Sequence, residues 1–77
     1  MEKRVNCNYE IVASVPLDRT HEIVIGRNPA APSPYVCWYC RNGADYNTGI
    51  YCDTYRSAME AMSERIKANH DYIPFTF

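Results

Sequence analysis

Polar and apolar residues alternate along "NYEIVASV", residues 8–15. Tyr9, Ile11, Ala13 and Val15 point one way, with Glu10, Val12 and Ser14 opposite, the period of a half-buried strand. Pro16 ends this strand, and "LDRT" reads as a turn. "THEIVIGR" predicts a second strand, since the β-branched run Ile23, Val24, Ile25 suits a pleated surface. Ile23 and Ile25 share a face. In "NPAAPSP" Pro29, Pro32 and Pro34 exclude helix and central pairing, so an extended, partly polyproline connection is expected. "YVCWYCR" and "YNTGIYCD" are the third and fourth strands, joined by the turn formers "NGAD".

The period then changes. In "TYRSAMEAMSERIKANH", Tyr55, Ala58, Met59, Met62 and Ile66 fall on one helical face. Glu60, Ser63, Glu64 and Lys67 lie mostly on the other. Asp53 or Thr54 can cap the N-terminus, and Asn69 or His70 suits the C-terminal end. The order ββββα predicts an α+β fold: a four-stranded antiparallel meander sheet with one C-terminal amphipathic helix packed on one face. Residues 1–6 are expected to fray. The apolar stretch 71–77, "DYIPFTF", is expected to fold back on the core or to meet a partner.

The length of 77 residues allows a single domain. So short a chain buries only roughly 60% of its unfolded surface, so a partner or a second copy would add useful stability. A hydrophobic fraction of 47% excludes a disordered chain. The formal net charge of −1 counts against nucleic acid, whose binders carry basic patches. No run approaches the ~18 apolar residues of a membrane span, and the start has no apolar core of a signal peptide. The cytoplasm is therefore expected, with its cysteines reduced.

Residues 35–52 hold three of the four cysteines, the one tryptophan and four of the seven tyrosines. Cys37-x-x-Cys40 invites two chemical readings. A thioredoxin-type pair needs its first thiol at a helix N-terminus, and Arg41-Asn42-Gly43 starts a turn instead. Structural zinc needs four ligands, and here Cys7, Cys52, His21 or His70 would have to come from distant places. Strand alternation also sends Cys37 and Cys40 to opposite faces. The cysteines are therefore read as small buried hydrophobes, with Cys7 the most exposed, and no metal or other cofactor is assigned. A small zinc-stabilised module using Cys37 and Cys40 is kept as an alternative.

With a four-residue loop, Asn42 to Asp45, Arg41 faces Tyr46, Cys37 faces Ile50 and Tyr35 faces Cys52. Trp38 then lies across from Gly49, where an aromatic ring protects a weak strand position. The face with Cys37, Ile50 and Cys52 seats Met59, Met62 and Ile66 of the helix. Trp38, Val36 and Tyr51 are left on the second face, which no helix covers. An aromatic patch of this kind is an interaction surface, unless the tail or the proline loop packs over it. The expected site has Trp38 as anchor, Tyr51 and Val36 flanking it, and Tyr39 or Tyr46 near the rim.

No carboxylate pair, phosphate loop or nucleophile spacing stands out, so no enzyme is expected. The expected function is a non-enzymatic module binding a protein partner or itself, a homodimer in the second case. Single-stranded nucleic acid is the other alternative, with tyrosines stacking on bases and Arg27 and Arg41 on phosphates.

The run "PYVCWYCRNGADYNTGIYCDTYRSAMEAMSERI" resembles small uncharacterised proteins of mobile and conjugative elements in gut bacteria. The shared features are an aromatic strand, an Asn/Gly/Asp turn, a Gly-Tyr strand and a "DTY" helix start, over about half the chain. The resemblance implies an accessory role and assigns no chemistry to any residue.

Overall fold

A computed structural model describes residues 4–69. Its sheet is a five-stranded antiparallel meander in the order β1-β2-β3-β4-β5, followed by one helix. The strands are β1 (Val5–Asn6), β2 (Tyr9–Pro16), β3 (His21–Arg27), β4 (Tyr35–Arg41) and β5 (Asp45–Cys52). The helix, α1, spans Tyr55–Ala68. The expected α+β meander with a C-terminal helix is present, with five strands rather than four.

The additional strand comes from residues expected to fray. Cys7 and Asn8 take φ of 51° and 70° and form a two-residue turn between Asn6 and Tyr9. Both central residues have positive φ, the hairpin geometry that matches strand twist. The Arg4 carbonyl accepts from the Ile11 N–H at 2.8 Å, which extends the pairing. Residues 4–6 are thus held in place, and the apolar stretch 71–77 lies outside the described residues.

Two bulges decide which side chains share a face. In β2, Ile11 pairs with Gly26 but Ala13 pairs with Ile25, so Val12 is an extra residue. An extra residue reverses the alternation beyond it. Tyr9 and Ile11 therefore lie on one face, and Ala13 and Val15 on the other. The single four-residue stripe read from the sequence is split. In β5, Cys37 pairs with Ile50 but Tyr39 pairs with Asn47, so Thr48 and Gly49 together oppose Trp38. The lower register, Tyr35 with Cys52 and Cys37 with Ile50, is as expected. Above the bulge Arg41 pairs with Asp45 and Cys40 with Tyr46. The connection is consequently three residues, Asn42–Ala44, rather than four.

The proline segment is more compact than an extended linker. The Asn28 N–H donates to the Pro34 carbonyl at 2.7 Å, and the Asn28 side chain accepts from the Ala30 N–H at 3.0 Å. The loop folds toward the sheet, because the Tyr9 hydroxyl donates to the Ser33 carbonyl at 2.7 Å.

No proline or glycine interrupts α1. Thr54 Oγ1 accepts from the Ser57 N–H at 3.1 Å and caps its start. The helix packs on β3, β4 and β5. Leu17, Ile23, Ile25, Cys37, Cys52, Ala58 and Met62 form the core beneath it. Burying a side chain such as Met62 contributes about 1.5–3 kcal/mol. The helical face is rotated from expectation: Met59 is 43% exposed, whereas Arg65 is buried. Seated across β3, β4 and β5, the helix turns positions 58, 62 and 65 inward and leaves Tyr55 and Met59 exposed.

Candidate functional site

The sheet face away from α1 carries a second cluster of Tyr9, Val24, Val36, Trp38 and Cys40, with Ile11, Ala31 and Tyr46 packed against it. Tyr9 reaches this face only because of the Val12 bulge. Its ring stands edge-on to Trp38, with centroids 5.6 Å apart and planes at 85°. Tyr46 meets Trp38 from the other side at 5.6 Å. Tyr51 meets Tyr9 at 6.1 Å. Edge-to-face contacts of this kind add stability beyond area burial. The result is a continuous chain of rings, Tyr51–Tyr9–Trp38–Tyr46, across the sheet.

Two glycines make room for the indole. A Cβ on Gly26 would sit 2.9 Å from Tyr9 Cβ and 3.0 Å from Trp38 Cζ3. A Cβ on Gly49 would sit 2.8 Å from Trp38 Nε1. The expected placement of Trp38 beside Gly49 is correct, and Gly26 performs the same service from β3. Gly26 was readable as an isolated glycine in a strand, which marks close approach.

Trp38 is not uncovered. It is 4% exposed, and Val36 is fully buried. The expectation of a bare Trp38 anchor flanked by Val36 is corrected: the neighbouring rings, together with Ala31 of the proline segment, enclose these residues. Tyr51 alone of the expected site is widely exposed, at 56%. Tyr46 is half-buried at the opposite end of the ring chain. Tyr39 does not belong to this face. It pairs with Ile23 on the helix side, lies 4.5 Å beneath the Arg65 guanidinium and accepts from Asn69 Nδ2 at 2.9 Å.

Arg4 fastens the Tyr46 end. Its guanidinium donates to both Glu22 carboxylate oxygens at 3.1 Å and lies 5.8 Å from the Tyr46 ring centroid. The Glu22 carboxylate raises the Arg4 pKa further above its ordinary value, so the clamp stays charged. Arg4 Nη2 also approaches Cys40 Sγ at 3.6 Å. Burial nevertheless pushes the Cys40 thiol up, as it does Cys37 and Cys52. Raised thiols are poor nucleophiles.

Cys37 lies in the cluster under the helix and Cys40 in the aromatic cluster, on opposite faces. They cannot hold one ion between them, which removes the geometric basis of the zinc alternative. Among the described residues no group of three or more His, Cys, Asp or Glu could hold a metal. Arg27 and Arg41 pair with Tyr35 and His21 on the helix side of the sheet. The phosphate contacts of the nucleic-acid alternative therefore do not flank the aromatic face.

A cleft of about 210 Å³ lies on the helix side of the sheet, lined by Leu17, Asp18, His21, Tyr39 and Asn69. Asp18 Oδ1 accepts from the Thr20 N–H and the His21 N–H, both at 2.8 Å, and lies 3.1 Å from His21 Nδ1. These contacts close the β2–β3 turn. They hold the Asp18 carboxyl down at about 2, the Thr20 N–H chief among them. The dyad is explained by the turn it builds.

Arg65 is the buried polar residue that sequence reasoning missed. Its guanidinium donates to the Cys37 carbonyl at 3.0 Å and the Thr48 carbonyl at 2.6 Å. It thus satisfies carbonyls at the β5 bulge. The available signal was its spacing, three residues after Met62 on the inward face.

Comparison with family models, curated proteins and solved structures gives no match to the chain. Among the described residues no helix is long and apolar enough to cross a membrane.

Proposed function

We propose that the chain is a non-enzymatic interaction module, binding a protein surface through the Tyr51-bearing face of its sheet. The exposure of Tyr51 at the end of an otherwise buried ring chain carries this reading. Tyrosine presents a large contact area with few rotatable bonds, so fixing it in an interface costs little entropy. Tyr9 and Trp38 hold its neighbourhood rigid. Tyr51 is the contact residue, Trp38 and Val36 its support, and Tyr46 the rim at the far end. The proposal places the module in the cytoplasm, where its four free thiols stay reduced. It also suits the accessory role in a mobile element that the sequence resemblance implies.

Site-specific photocrosslinking in living cells tests the reading. A benzophenone side chain replaces Tyr51 in one variant and Ser63, on the exposed side of α1, in another. Discrete protein adducts formed from position 51 and absent from position 63 are expected. Identical adduct patterns from both positions would remove the basis for assigning this face. Adducts to nucleic acid from position 51 would replace it with the stacking alternative.

A further inference from the structure

Asn42 is followed by glycine, and none of the other asparagines is. A following glycine leaves its main-chain nitrogen unshielded by a side chain, so that nitrogen can attack the asparagine carboxamide. The nitrogen gives its proton to solvent base and bonds to Cγ of Asn42, and the carboxamide nitrogen leaves as ammonia. The product is a cyclic succinimide. Water then opens the ring at either carbonyl. Opening at Cγ gives aspartate. Opening at the main-chain carbonyl gives isoaspartate, whose main chain runs through Cβ. Neither step needs an oxidant or a reductant.

Asn42 and Gly43 are both exposed, and a Cβ on Gly43 would meet nothing within 4 Å. Water and base therefore reach the pair, and what restrains it is conformation. Asn42 and Gly43 take φ of 55° and 73°, and the Ala44 N–H donates to the Arg41 carbonyl at 3.2 Å. Positive φ at both central residues marks a type I′ turn, whose first central residue has ψ of about 30°. At that ψ the Gly43 nitrogen points away from the Asn42 side chain. Ring closure needs the nitrogen eclipsed with Cβ, which for an L residue is the ψ of about −120° found in a type II′ turn. The two turns share φ at Asn42 and differ by a flip of the Asn42–Gly43 peptide. Glycine accepts the change of φ that the flip asks of it. The flip leaves the ends of the turn in place, where the Asn42 N–H donates to the Thr20 carbonyl at 2.7 Å.

We infer that Asn42 is a deamidation site gated by this flip. The type I′ turn holds Asn42 unreactive, and each excursion to type II′ brings its carboxamide to the Gly43 nitrogen. The isoaspartate main chain is one atom longer in the turn that aligns Arg41 with Asp45 and Cys40 with Tyr46. The modification thus acts on the pairs that hold Tyr46 beside Trp38.

Peptide mapping by mass spectrometry tests this after incubation at mildly alkaline pH. The folded protein is compared with the protein in concentrated urea at the same pH and temperature. Chromatography separates the isoaspartate and aspartate products. In urea, position 42 is expected to react ahead of every other asparagine and to give both products. In the folded protein its rate should fall at least about tenfold, because local opening must precede the reaction. A folded rate within a few fold of the urea rate overturns the gate. Another asparagine reacting first in urea, or no product at position 42 there, overturns the site. Gly26→Ala separates the flip from global unfolding, because Gly26 pairs with Val36 at the far end of β4 from the turn. This variant, shown by circular dichroism to fold, should leave the folded rate at position 42 unchanged. A rate that rises in step with its lost stability overturns the local flip.

Discussion

Thr48 takes a φ of 55°, a left-handed conformation that a β-branched side chain adopts at a cost. Bulges of this type usually place glycine there. Here the glycine is needed one residue later, where Trp38 Nε1 would clash with a Cβ. Thr48→Gly is expected to stabilise the protein by about 1 kcal/mol, visible as a raised urea midpoint at unchanged slope. Gly26→Ala should do the opposite, since its Cβ would meet the Tyr9 Cβ at 2.9 Å. A loss of about 1–3 kcal/mol in urea denaturation is expected. Asp18 sets a pH dependence. Its folded pKa of about 2 lies below the ordinary carboxylate value, so ionised Asp18 favours the folded state above about pH 4. That contribution is lost as pH falls through about 2. It is small, because the carboxylate sits in a solvated turn. Asp18→Asn should flatten the acid limb of stability against pH, measured by urea midpoints at successive pH values.

At the scale of elements, β3, β4 and the helix were legible because their apolar periods run unbroken over five or more residues. The turn at Asn42-Gly43 was legible because few residue types tolerate positive φ. The bulges were not. A single extra residue at Val12 or Thr48 leaves local alternation intact, yet moves Tyr9 and Tyr46 to the aromatic face. Only pairing with Gly26 and Trp38 reveals it. Strand β1 was hidden because two residues give no period. Arg65 was passed over because a charged side chain at an inward position is expected to leave the core. It stays because two strand carbonyls and the Tyr39 ring take its guanidinium. Arg65→Ala should cost about 2–4 kcal/mol by chemical denaturation, because it removes the charged donors to the Cys37 and Thr48 carbonyls. Arg65→Lys should recover little, because one ammonium cannot reproduce the planar fork.

At the scale of the whole molecule, one helix serves a sheet with two apolar faces. The second face is closed by its own rings, the proline segment and the Arg4 clamp, which leaves Tyr51 exposed on β5. The candidate surface was half legible. Sequence placed Trp38, Val36 and Tyr51 on one face, but it could not show that Tyr9 and Tyr46 enclose the tryptophan and pass the contact role to Tyr51. The most direct measurement is photocrosslinking from position 51 beside the same probe at Ser63, an exposed position of α1. Discrete protein adducts from position 51 that position 63 does not give are predicted. Identical adducts from both positions would contradict the assignment of this face.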